Sequence, residues 1–365
     1  MSISLYNLSK NQITVLKGLA MVLLVLHNYI HWTNHIGENE FYFDPNRIFS
    51  LFEAIENDFL MILNGSISYF GFLAVEIFIF ASAYGLSKQF MKQKPASYWS
   101  YIIPRLIKTY GLIIVGLICY FLLLYPIGAL TTNDFISFSS ASLLLYNNLS
   151  SNTIFYYPYI GPWWFFTLII QLYIIFPLLF YVIERYKKKG LLFLIIVAYV
   201  LIYCLLPFSK SYNVPFFAHF VGHLPEFALA IGFAMFKDLR INKEMLFIAL
   251  VLFVLSNFYS SFFPLLFLCA TILILFITYP VYNTSSKAVL KPLLFIGQIS
   301  MFMFVLNGPL RAYTIGNWAE KTSLESLGWG VLHLSITILL SYLLSIIYKR
   351  LVSPPLDKLI NYTKS

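Results

Sequence analysis

Lys17, His27 and His31 stand in one strongly apolar stretch, ITVLKGLAMVLLVLHNYIHW, and their types suit acid–base chemistry. A cation or imidazole in hydrocarbon costs roughly 2.5–3.5 kcal/mol for Lys on insertion scales, so such groups mark function by default. On a helix, His27 lies about 80° round from Lys17 and about 15 Å further along, while His31 returns to within about 40° of Lys17. The three can line one side, with a cation at one mouth and imidazoles deeper in. An imidazole titrating near neutrality suits general-base work. The structural alternative is that His27 bonds a neighbouring helix and Lys17 reaches back to lipid head groups. A zinc site is disfavoured, because His27-Asn28-Tyr29-Ile30-His31 lacks the Glu of HExxH.

Further polar groups interrupt later apolar segments. Glu76 is the carboxylate of VEIFIFASAYGL, placed to orient His27 or to sit at the interface, and the small residues after it permit close helix approach. Arg105 and Lys108 in PRLIK share a helix face, where two cations could clamp phosphates or anchor the chain at a basic surface. Gln171 and Tyr173 follow Trp164 in WFFTLIIQLYIIFP; His223 and Glu226 form an i,i+3 pair; Asn307 precedes Arg311 by one turn.

The elements that must position these residues are membrane helices. Of 365 residues, 60% are apolar and 11% charged, far below the charge of soluble domains, so the chain is an all-α integral membrane protein. Ten apolar segments fall near 13–32, 68–90, 101–126, 161–183, 190–207, 215–236, 244–260, 263–282, 289–311 and 329–349. They form one domain over 1–365 that partners membrane lipid. Lys and Arg concentrate in alternate loops, which places both termini in the cytoplasm by the positive-inside rule. The net charge of +9 therefore sets topology and is no nucleic-acid signal, since no basic stripe with interleaved aromatics occurs. Cys119, Cys204 and Cys269 lie within apolar segments and read as small hydrophobes. No cleavable signal peptide is expected, because the first apolar segment is too long for one. The opposite loops 33–67 and 127–160 are long, one acidic and one rich in Ser, Asn and Tyr. They are either solvated connectors or the receiving face for a polar substrate such as a sugar.

Taken in order, these segments resemble the acyltransferase 3 family, membrane acyltransferases that modify cell-surface glycans. LKGLAMVLLVLHN resembles the family's basic residue followed by an essential His; VEIFIFASAYGL its acidic "V-[DE]" segment, with Ala83 replacing the usual Gly. PRLIK resembles the R-x-x-R pair with Lys108 for the second Arg, and WFFTLIIQLYIIFP keeps the Trp…Gln-aromatic-Tyr…Pro spacing through Trp164, Gln171, Tyr173 and Pro177. Further departures follow. Nine residues separate Lys17 from His27 where the family has ten, so Asn28 occupies the usual register; Ile169 and Ile170 replace an acidic pair; Asn307 stands where many members have His.

The resemblance implies a plasma-membrane, multi-pass enzyme moving an acyl group, most often acetyl, from cytoplasmic acyl-CoA to a hydroxyl of a surface carbohydrate. It implies His27 as catalytic base and Glu76 as its orienter; with the shortened spacing, either the helix adjusts locally or His31 shares the catalytic work. Lys17, Arg105 and Lys108 would hold acetyl-CoA, and Trp164, Gln171, Tyr173 and Asn307 would meet the acceptor. Acyl-CoA would be a co-substrate, with no tightly bound cofactor and no metal. The rival function class is a transporter or flippase for a lipid-linked glycan, which would use intramembrane Lys, His and Glu as a pathway and show inverted repeats with broken helices.

Overall fold

The computed structural model describes residues 2–34, 36–149, 161–314 and 322–362. Helices dominate because no other open structure satisfies its own backbone in hydrocarbon. In chain order they are α1 (Lys10–Asn34), α2 (Asn46–Asn57), α3 (Met61–Phe70), α4 (Val75–Lys92), α5 (Tyr98–Leu124), α6 (Thr132–Leu143) and α7 (Trp164–Ser211). There follow α8 (Leu224–Met235), α9 (Lys243–Phe258), α10 (Leu266–Thr284), α11 (Lys287–Thr314), α12 (Ser323–Ile347) and α13 (Ser353–Tyr362). Local sequence sets several starts. Ser9 and Gln12 bond reciprocally across the first turn of α1, and capping boxes Ser97/Ser100 and Thr322/Glu325 open α5 and α12.

All ten apolar segments fold largely as helix, but seven helices among the described residues are long and apolar enough to cross a membrane. The difference has two sources. Segments four and five are arms of the single 48-residue α7, broken at Lys187, where φ is 56° and ψ −137°. The break is a reversal: a Cβ on Gly190 would lie 2.6 Å from the Val182 carbonyl, whereas eight residues of straight helix span about 12 Å. Segments six and seven yield α8 and α9, whose 12 and 16 residues fall short of the ~20 needed for a perpendicular crossing.

The loop alternation read from the sequence has a structural counterpart. Lys94 pairs with Glu184, Lys188 with Asp238, Gln12 with Asn283, and β1 (Ile3–Ser4) with β2 (Arg240–Ile241). These contacts gather the basic loops at one end of the bundle. At the other end, Tyr69 links Asn39 to Asn257, and Asn64 donates to the Ser323 carbonyl.

The closest packing joins α1 to α11. A Cβ on Gly18 would stand 1.9 Å from the Leu293 carbonyl oxygen, and one on Gly297 1.9 Å from that of Thr14. The two glycines thus let backbone meet backbone, as small residues do between membrane helices. Gly85, by contrast, faces open space, so that part of the small-residue run in α4 does not mediate packing.

Candidate active site

Helix α1 carries His27 into the bundle with only 5% of its surface exposed. Its Nδ1 lies 3.0 Å from the Ile67 carbonyl oxygen. A carbonyl only accepts, so Nδ1 carries the proton and Nε2 presents its lone pair. The imidazole lies against Gly71, where a Cβ would come within 2.4 Å of His27 Cβ. Only glycine admits the ring at that depth.

One turn on, the His31 ring centroid is 5.7 Å from that of His27, and His31 Nδ1 is 2.7 Å from Glu38 Oε2. Glu38 belongs to the loop after α1. Burial raises its carboxyl pKa, but the bond to His31 and the neighbouring imidazole charges win, leaving it below the usual carboxylate range. Glu40 goes the other way: burial, then the Glu38 charge, pushes it well above that range, so it keeps a donor O–H to higher pH. Arg311 of α11, 1% exposed, donates from Nη1 to the Asn28 carbonyl at 2.9 Å, its guanidinium 5.6 Å from the Trp32 ring.

These groups border a partly open cavity of about 320 Å³, lined by His27, His31, Glu38, Glu40, Trp164 and Arg311 among others. That volume is at the small end of ligand sites and suits one sugar ring with a short acyl group. The arrangement offers a buried imidazole with Nε2 available as a base, a carboxylate-supported imidazole and a fixed cation. Such a set can deprotonate a hydroxyl and stabilise the negative charge that follows. Glu38→Gln, which keeps size but loses charge, should weaken the His31 bond by about 1.5–3 kcal/mol. Turnover should then fall about ten- to a hundred-fold, less than on loss of His27, in steady-state assays on membranes.

The sequence-derived candidates divide accordingly. His27, His31 and Trp164 line the cavity. Glu76 does not orient His27, because the Ile67 carbonyl holds that role; its carboxylate instead lies 3.4 Å from His223 Nδ1. The i,i+3 pair at the start of α8 forms as the spacing predicts, with His223 Nδ1, on the residue that caps the helix, 2.7 Å from Glu226 Oε1. Trp164 stacks on His223, with 6.2 Å between centroids and 13° between planes. Gln171 accepts from Asn148 and from the Phe220 amide, and Asn307 from His333 Nε2 at 2.9 Å. The carbonyl of Tyr173 accepts from Tyr101. None of these three lines the cavity.

Lys17, Arg105 and Lys108 also stand apart from it. Lys17 is half-buried on α1 and Lys108 exposed on α5. Arg105 lies over the Tyr101 ring at 4.0 Å and donates to Gln89 at 2.8 Å. Residues 150–160 of the second long loop, and Lys321, lie outside the described residues.

Sequence reasoning passed over Glu38, Glu40 and Arg311 as site residues. Glu38 and Glu40 follow the end of α1 without helical spacing, whereas Arg311 was visible as a charge in an apolar segment. Among known proteins, a family model described as an acyltransferase domain matches residues 10–346. No curated protein and no solved structure matches the chain.

Proposed function

The chain belongs to the acyltransferase 3 family and is a membrane acyltransferase, and from that premise we propose that it transfers an acetyl group from acyl-CoA to a hydroxyl of a surface carbohydrate. The observation that carries this reading is His27, whose Nδ1 is tied to Ile67 so that Nε2 is left as the base of a partly open, sugar-sized cavity. The basic end of the bundle is cytoplasmic on this reading, by the positive-inside rule, and the membrane is the plasma membrane. Acyl-CoA approaches from that side. Its phosphates meet Lys17, Arg105 and Lys108, where cation–phosphate hydrogen bonds are strongest.

The acceptor enters from the opposite face, past Glu38, Glu40 and Trp164. His27 Nε2 takes the proton of its hydroxyl as that oxygen attacks the thioester carbon. The Arg311 guanidinium is then the cation available to the oxygen that becomes negative. When the tetrahedral adduct collapses, the C–S bond breaks, the imidazolium returns its proton to the departing thiolate, and an ester and free CoA result. His31, held by Glu38, keeps a second base beside the first. Glu76, Gln171, Tyr173 and Asn307 act at one remove, by holding helices that frame the cavity.

Arg105→Ala tests the cytoplasmic half of the scheme. Loss of one charge-assisted phosphate contact is about 1.5–3 kcal/mol, so the KM for acetyl-CoA should rise about ten- to a hundred-fold. The KM for the acceptor should stay unchanged. Equal shifts in both would remove Arg105 from the donor site.

A further inference from the structure

Beside the cavity, Glu76 of α4 converges with His223 and Glu226 at the start of α8. All three are at most 1% exposed, and their nearest ligand atoms lie within 4.8 Å of one another. His223 Nε2 is 2.7 Å from the Phe217 carbonyl oxygen, which accepts and so fixes the ring proton on Nε2. His223 Nδ1 then faces two carboxylates, Glu226 at 2.7 Å and Glu76 at 3.4 Å. The outer oxygens, Glu76 Oε2 and Glu226 Oε2, are buried and have no hydrogen-bond donor among the described residues. Glu40 adds a third carboxyl that interacts electrostatically with both His223 and Glu76.

With both carboxyls ionised, the cluster carries an excess of negative charge in a dry place. Even an imidazolium would leave the three-residue cluster one charge short of neutral. The first turns of α4 and α8 carry the two Glu residues, and a helix N-terminus favours a carboxylate. Burying an unpaired ion costs more than a helix dipole returns. The dipoles reduce that deficit without closing it.

We propose that Glu76, His223 and Glu226 bind a divalent transition-metal cation, zinc or manganese, that ties α4 to α8 behind the cavity. One imidazole and two carboxylates form a mixed nitrogen–oxygen donor set suited to such ions. With His223 neutral, the two carboxylates balance the cation's charge. An Nε2–H donated to a backbone carbonyl is the usual outer support of a ligating imidazole. Ligand atoms about 2.0–2.2 Å from a tetrahedral ion stand about 3.3–3.6 Å apart. The 3.4 Å separation already fits, and the 2.7 Å one needs a shift of less than about 1 Å. The cation has no step in acyl transfer; it neutralises the cluster and fixes His223, on which Trp164 stacks.

The test needs no activity readout and so stands apart from the transferase reading. The full-length chain is purified in detergent without chelators and its metal content measured by plasma mass spectrometry. About one equivalent of zinc or manganese per chain is expected. After removal of metal with a chelator, thermal unfolding should shift upward on adding ZnCl2 or MnCl2, and Glu226→Gln should lose both the metal and the shift. A wild-type chain with under about a tenth of an equivalent of either metal, whose unfolding is unmoved by both salts, would overturn the proposal whether or not the variant folds.

Discussion

His27→Ala is expected to abolish acyl transfer while the chain still inserts and accumulates in the membrane. General-base catalysis by a positioned side chain contributes about 10²–10⁴-fold, or about 3–5 kcal/mol of barrier. The side chain is also a structural donor, because Nδ1 satisfies the Ile67 carbonyl. Its loss leaves that carbonyl with the Gly71 N–H alone, so the cost is that of one ordinary hydrogen bond, about 0.5–1.5 kcal/mol. The variant should therefore be somewhat less stable as well as inactive, and the two effects separate on measuring thermal unfolding beside turnover. His31→Ala provides the contrast, since His27 keeps its own orienting bond when His31 is gone. Equal activity in wild type and His27→Ala would remove His27 from the chemistry.

The second large effect is structural. In Gly18→Ala the new methyl group would sit 1.9 Å from the Leu293 carbonyl oxygen, far inside van der Waals contact and against backbone. Gly297→Ala creates the same conflict with Thr14 from the other side. Overpacking a dense site costs about 1–3 kcal/mol when side chains yield, and here no side chain can yield. Each variant should fall at or above the top of that range, with a clear drop in the unfolding temperature and in folded yield. Because α1 also carries Lys17, His27 and His31, turnover should fall with it. Gly328, whose Cβ would meet nothing within 4 Å, is the control: Gly328→Ala should be neutral or slightly stabilising through helix propensity. An unchanged unfolding temperature in Gly18→Ala would contradict the packing described for α1 and α11.

Much of this architecture is legible in the sequence because hydrocarbon imposes simple rules. Apolar runs near 20 residues became helices, and basic loops gathered at one end. The two short helices and the reversal at Lys187 were less legible. A length of apolar sequence does not say whether it crosses the membrane or turns within it, and Lys187 is not the residue type that announces a positive φ. The site divides along the same line. His27 and His31 stand out because an imidazole in an apolar run is costly, and four-residue spacing alone brings them together. The His223–Glu226 contact is likewise a matter of helical spacing.

What the sequence could not assign was partnership across helices. Glu76 is the right residue type to orient His27 and sits on a helix next to it. A backbone carbonyl, which carries no sequence signature, took that role, and Glu76 turned to His223. Glu38 reaches His31 from a loop whose path no periodicity dictates. Asn307 is a buried polar residue whose partner, His333, lies on a different helix.

The most direct test of the central claim is acyl transfer by the purified chain in lipid nanodiscs, supplied with radiolabelled acetyl-CoA and the host's extracted surface polymer. Label is expected in the polymer as a base-labile ester, formed by wild type and reduced at least about a hundredfold in His27→Ala. Label transferred equally by both proteins, or no transfer by a wild type that is folded and binds acetyl-CoA, would contradict that claim.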